Sequence, residues 1–169
     1  PDEFEFLEIT NVSGQRVALG SLRFAAGIDF DFGTGSEVQE LAPGASVVLG
    51  ANAAAVQLRF GVSVSGIFEN GSRLSNGGER IRLVRADGVV IADFTWNDDG
   101  DWPSTADGSG FSLHLLAPLS GTNPDPGENW RADSPSPGTL PGPLLYDNWL
   151  RDHFTPAEIA AGAGTDSSA

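Results

Sequence analysis

The stretch 74–96, LSNGGERIRLVRADGVVIADFTW, constrains the fold more than any other part of the chain. Two apolar-rich runs flank Ala86-Asp87-Gly88. In the first, Ile81 and Leu83 alternate with Arg80, Arg82 and Val84; in the second, Val90, Ala92, Phe94 and Trp96 alternate with Val89, Ile91, Asp93 and Thr95. Period-two alternation marks a strand with one buried face. Asp-Gly between such runs predicts a hairpin, because both residues tolerate positive φ. Upstream, Asn76-Gly77-Gly78 predicts a tight turn that delivers the chain into it.

The remaining apolar runs are short and separated by turn residues. A strand is expected over 4–9, its phase slipping between Phe6 and Leu7, which implies a bulge or burial on both faces. Asn11-Val12-Ser13-Gly14 is a turn. Val17, Leu19, Leu22 and Phe24 give a strand region broken at Gly20, and Phe30 and Phe32 flank Asp31 in another short run. Ala42-Pro43-Gly44-Ala45 is a turn with Pro preset early in it, followed by the buried strand 46–49. Residues 51–55 suit a brief helical turn, while 57–60 and 66–68 are weak strand candidates. Beyond an acidic loop at 97–110, Phe111-Ser112-Leu113-His114-Leu115 alternates cleanly. Many short strands with frequent turn signals predict an all-β sandwich. The 22 Gly and 11 Pro suit that class.

The tail differs. Leu144, Leu145, Trp149, Leu150 and Phe154 recur at helical spacing, and Thr155-Pro156-Ala157-Glu158 is a capping box. The expected organisation is a sandwich over 1–142 and a short helical appendage with a small, polar terminus over 143–169. Six large apolar groups, including Tyr146, lead us to expect that the appendage docks on the sandwich.

A formal net charge of −14, with every basic residue an Arg, argues against nucleic acid and anionic membrane. No apolar run is long enough to be a transmembrane helix, so no membrane insertion is expected. Cysteine is absent, which excludes disulfides, thiolate metal sites and Cys nucleophiles. A chain that begins at Pro1 and lacks Met is expected to be a piece of a longer protein.

Asp98, Asp99, Asp101 and Asp107 share one loop with Gly100 and Gly108. Hard cations take several oxygen ligands from flexible loops, so these are the candidate ligands of a calcium ion. The spacing is not that of an EF-hand, and a solvated acidic loop is the alternative. No other cofactor is called for. Paired carboxylates also serve glycosidases, but here they crowd one loop of an acidic chain. His114 is placed on the strand face opposite Phe111, Leu113 and Leu115, as a surface residue. His153 follows the tail helix, where it suits the helix dipole. No Ser-His-Asp order stands out, and no catalytic residue is assigned. Trp96, Trp102 and Trp130 suit either a sugar-stacking platform, as in a carbohydrate-binding module, or a structural role filling the core or covering its open end. Arg80, Arg82 and Arg85 are expected to pair with cross-strand carboxylates.

In the order of its motifs the chain resembles the lamin tail domain, the immunoglobulin-like module of nuclear lamins and of many large bacterial surface proteins. The residues concerned are Glu5 to Gly14, Leu41-Ala42-Pro43-Gly44 with Val47-Val48-Leu49, and Leu74 to Glu79 with Ile81, Leu83, Asp87-Gly88 and Val90-Ile91. Trp102-Pro103, Asp107-Gly108 before Phe111-Ser112-Leu113, Asn129-Trp130-Arg131 and Pro137-Gly138 complete the series. At Gly20-Ser21-Leu22 many members have Gly-Trp instead. The tail is similar to helical segments that follow such domains. The resemblance implies an immunoglobulin-like sandwich acting as a non-catalytic interaction or spacer module of a secreted or cell-surface protein. Its partners would be a protein or polysaccharide and the neighbouring domains of the parent chain.

Overall fold

The computed structural model describes residues 2–106, 108–118, 122–138 and 155. The expected appendage at 143–169 lies outside them except for Thr155, as do Asp107 and His153. The described chain is mostly β-strands in several sheets, with few helices. In order these are β1 (Phe6–Thr10), β2 (Val17–Ala18), β3 (Leu22–Ala26), α1 (Phe32–Gly35), β4 (Glu40–Leu41), β5 (Ser46–Gly50), α2 (Ala53–Phe60), β6 (Gly66–Ile67), β7 (Glu79–Arg85), β8 (Val90–Trp96), β9 (Ser112–Leu115) and β10 (Trp130–Asp133). Two three-stranded sheets have the orders β1-β5-β6 and β3-β7-β8; β2-β4 and β10-β9 are two-stranded pairs.

The hairpin forms as its alternation predicts, from Glu79↔Trp96 to Val84↔Val90. Its turn differs from the expectation. Gly88 takes φ 87°, whereas Asp87 does not enter the left-handed region. Gly88 N–H donates to the Arg85 carbonyl at 2.9 Å and Arg85 N–H to Val89 at 2.8 Å. This is a longer loop closed by a left-handed glycine, so one positive φ suffices. The register shifts between Leu83 and Val84, and the shift changes the facing of the second strand. Ala92, Phe94 and Trp96 pack against the core, but Val90 and Ile91 stay exposed. Gly78 (φ 96°) enters β7 so tightly that a Cβ there would lie 2.5 Å from the Trp96 carbonyl oxygen.

Alternate residues of both larger sheets meet in one hydrophobic cluster. Leu7, Ile9, Val47 and Leu49 come from the β1-β5 side, and Leu22, Phe24, Ile81 and Leu83 from the β3-β7 side. Phe30 and Phe32 join it edge to face, 4.9 Å apart, after Asp31 caps α1 through the Gly33 N–H. The Ala42-Pro43-Gly44-Ala45 turn forms as expected, with Gly44 at φ 73° and Ala45 N–H donating to Ala42 at 3.0 Å.

Residues 57–60, a weak strand candidate, are the second half of α2. Asn52 caps this helix by accepting from Ala55 N–H at 3.1 Å, and Gly61 ends it at φ 73°. An Ala-rich run between an Asn cap and a left-handed Gly outweighs the alternation of Leu58 and Phe60. Val56 is fully buried, and Phe60 meets Phe6 edge to face at 5.4 Å. β1 is therefore contacted on both faces, which accounts for the phase slip at Phe6 and Leu7.

Candidate functional site

The loop between β8 and β9 and the connection between β9 and β10 lie together beside β8. Asn97 organises the start of the loop, its Oδ1 accepting from the Asp98 and Asp99 N–H groups at 2.8 and 3.3 Å. Such Asx turns fix backbone without using carboxylates. Asp98 is half-buried; Asp99 and Asp101 are exposed. Among the described residues no three His, Cys, Asp or Glu side chains are grouped so as to hold a metal ion, so Asp98, Asp99 and Asp101 form no such group. The fourth candidate ligand, Asp107, lies outside the described residues.

The tryptophans divide. Trp96 ends β8 and packs against the core. Trp130 on β10 lies 5.5 Å from Phe94 and 5.6 Å from Trp102, tilted by 31° and 32°. Its indole N–H donates to the Pro124 carbonyl at 2.7 Å. Offset ring pairs of this kind contribute about 0.5–1.5 kcal/mol each beyond their buried area. Three further contacts fix the β9–β10 connection, one to β8, one within itself and one to the β8–β9 loop. Asp125 Oδ1 accepts from Thr95 N–H at 3.2 Å, Asn129 donates to the Asn123 carbonyl at 2.9 Å, and Gly127 packs so closely that a Cβ would lie 2.7 Å from Trp102 N. A sugar platform needs free, coplanar ring faces; Trp102 and Trp130 are half-buried and stack on one another.

Two of the three arginines pair across the hairpin as expected. Asp93 accepts from Arg80 Nε and Nη2, both at 2.6 Å, and lies 3.3 Å from Arg82 Nε. The Arg80 hydrogen bonds hold its carboxyl below the usual carboxylate range. Arg85 instead pairs with Asp87 in the turn.

His114 is not the plain surface residue expected. It is half-buried, with Nε2 sealed from solvent and without a hydrogen-bond partner. Burial lowers its pKa, outweighing the nearby Asp133 carboxylate. Two carboxyls were not singled out from sequence. Glu8 is half-buried on β1, with Oε1 sealed and unpartnered, and burial pushes its pKa up. Burial also raises Glu5, against the Leu74 N–H that donates to its Oε2 at 2.9 Å. The available signal was a Glu inside an apolar strand at a position whose neighbours, Leu7 and Ile9, face the core.

Among the described residues no helix is long and apolar enough to cross a membrane. No protein-family model matches the chain, and no curated protein matches it.

Proposed function

We propose that this chain is an immunoglobulin-like β-sandwich serving as a non-catalytic interaction or spacer module of a larger secreted or surface-anchored bacterial protein. The observation that carries the reading is the single hydrophobic cluster fed by alternate residues of both three-stranded sheets. Two sheets sharing one core is how a sandwich buries its inner faces. The order of lamin-tail-like motifs supports the same reading. So does the use of polar and aromatic groups at the loop end: Asn97, Asp125 and Asn129 fix backbone, and Phe94, Trp102 and Trp130 stack on each other. Fold alone does not determine function, so the spacer role rests on analogy. The carbohydrate-binding alternative would use Trp102 and Trp130, and their mutual stacking weighs against it.

The test incubates the purified chain with a panel of phosphoester, glycoside and ester substrates and titrates it with soluble polysaccharides while following tryptophan emission. We expect neither turnover nor a saturable emission change. Turnover that survives repurification and disappears on replacing Asp98 or Asp101 would overturn the non-catalytic reading. Saturable quenching lost in Trp102→Ala would establish the carbohydrate alternative.

A further inference from the structure

The β1-β5-β6 sheet ends at β6, and beside that edge lies an open groove of about 330 Å³ between Ala53 at the start of α2, Val64 and Ile67. Gly35 and Gly66 also line it. Both back onto Phe30, where an added Cβ would lie 2.9 and 2.4 Å from ring carbons, so only backbone separates the groove from the core there. Ile67 is 51% exposed, and on α2 Ala54 and Leu58 are exposed one turn apart, Leu58 at 87%. Glu37 is the one charged side chain among the described residues that line the groove. The described chain arrives next to it after β10. Pro137 is buried, and Gly138, at φ 75°, packs so that a Cβ would lie 3.2 Å from Val62 Cγ1, two residues before Val64 in the groove wall.

We propose that this groove is the seat of the chain's own segment 144–150, which covers the open edge of β6. Leu144, Leu145, Tyr146, Trp149 and Leu150 put five large apolar side chains into seven residues. The six residues from Gly138 to Leu144 span at most about 20 Å, and Gly138 already lies against Val62, so the segment reaches the groove. A tether this short holds it at an effective concentration on the order of mM, which keeps even a weak seat filled. A second copy has no such advantage. It brings a net charge of −14 against −14, whereas 144–150 carries Asp147 alone. An open sheet edge is a template for strand pairing between molecules, so the seated segment also keeps the edge of β6 from its neighbours.

Because the chain has no cysteine, one introduced thiol carries a nitroxide at a chosen point of the full chain. Glu37→Cys places it at the exposed rim of the groove, and Val89→Cys places it on the hairpin of the other three-stranded sheet, where Val89 is 46% exposed. The readout is the indole N–H signal of Trp149 in the ¹⁵N-labelled chain, identified by its loss in Trp149→Phe. We expect the label at 37 to weaken that signal several-fold and the label at 89 to leave it nearly unchanged. Adding Ile67→Asp to the groove-labelled chain should restore most of the intensity. Equal effects from the two labels, or undiminished broadening with Ile67→Asp, would overturn the seat. So would equal broadening when the nitroxide sits on an unlabelled chain mixed with the ¹⁵N-labelled one, since the occupant would then be a second copy. If Ile67→Asp does not fold, the comparison of positions 37 and 89 decides alone.

Discussion

Replacing Asn11 by Ala tests how the β1 end of the molecule is held. Asn11 is buried, with only 7% of its surface exposed, and uses every atom of its amide. Nδ2 donates to the Gln15 carbonyl at 2.7 Å and the Leu41 carbonyl at 3.1 Å; Oδ1 accepts from Ser13 N–H at 3.0 Å and Ser13 Oγ at 2.7 Å. Its own backbone joins Gly44 and Ala45, so one residue links the turn after β1 to the turn before β5. The Leu41 carbonyl loses its bond in a buried setting, at about 1–3 kcal/mol. The other bonds are part-buried, and water replaces much of each, leaving about 0.5 kcal/mol apiece. The expected total is about 2.5–4.5 kcal/mol. At a urea slope of about 2 kcal/mol/M this lowers the unfolding midpoint by about 1–2 M with no change in slope. Asn11→Asp should be worse at neutral pH, since it keeps the acceptor but sets a carboxylate against two carbonyls, and should recover in acid. A midpoint shift in Asn11→Ala below about 0.3 M would refute the reasoning, because water would then serve both turns as well as the amide does.

Two further outcomes are expected. Gly78→Ala should cost at least about 2 kcal/mol by urea unfolding, from the left-handed backbone and the clash with the Trp96 carbonyl, while Gly77→Ala, with open space around it, should change stability by less than about 0.5 kcal/mol; equal losses at the two positions would remove the steric explanation. Millimolar calcium should leave the melting temperature unchanged, whereas a site filled at a hundredfold excess over Kd would add about 2.7 kcal/mol; a clear rise abolished by Asp99→Asn and Asp101→Asn would restore the calcium site.

The hairpin was legible because two signals agreed: period-two alternation and a glycine where the turn needs positive φ. The bulge between Leu83 and Val84 was not, since both strands are apolar enough there to read in either phase. α2 was half-missed for a related reason. Leu58 and Phe60 alternate with Gln57 and Arg59, so four residues mimic a strand, and only the Asn52 and Gly61 caps reveal eight residues of helix. The parallel pairing of the two-residue β6 with β5 carries no local signal; it follows from the path of the chain after α2.

For the site, the most conspicuous residues were the less informative ones. Aspartates crowded in a loop reveal their shared charge, but whether they converge depends on backbone directions that composition does not encode. Here Asn97, a neutral neighbour, sets that path. Glu8 and His114 stand in ordinary apolar strands, where alternation places a polar residue on the outer face and invites the conclusion that it is solvated. That conclusion holds only if nothing crosses the outer face. The strap that follows β10, residues 134–138, does so at Gly138, and a proline followed by a left-handed glycine is the local chemistry that turns a chain back onto a surface. Pro137-Gly138 and the two half-apolar strands were each visible in the sequence. Their meeting required knowing that β10 ends where the strap can reach β1, which is a property of the whole topology. A titratable residue in a strand next to a free Pro-Gly strap therefore warrants weighing as a buried group before it is set aside as surface.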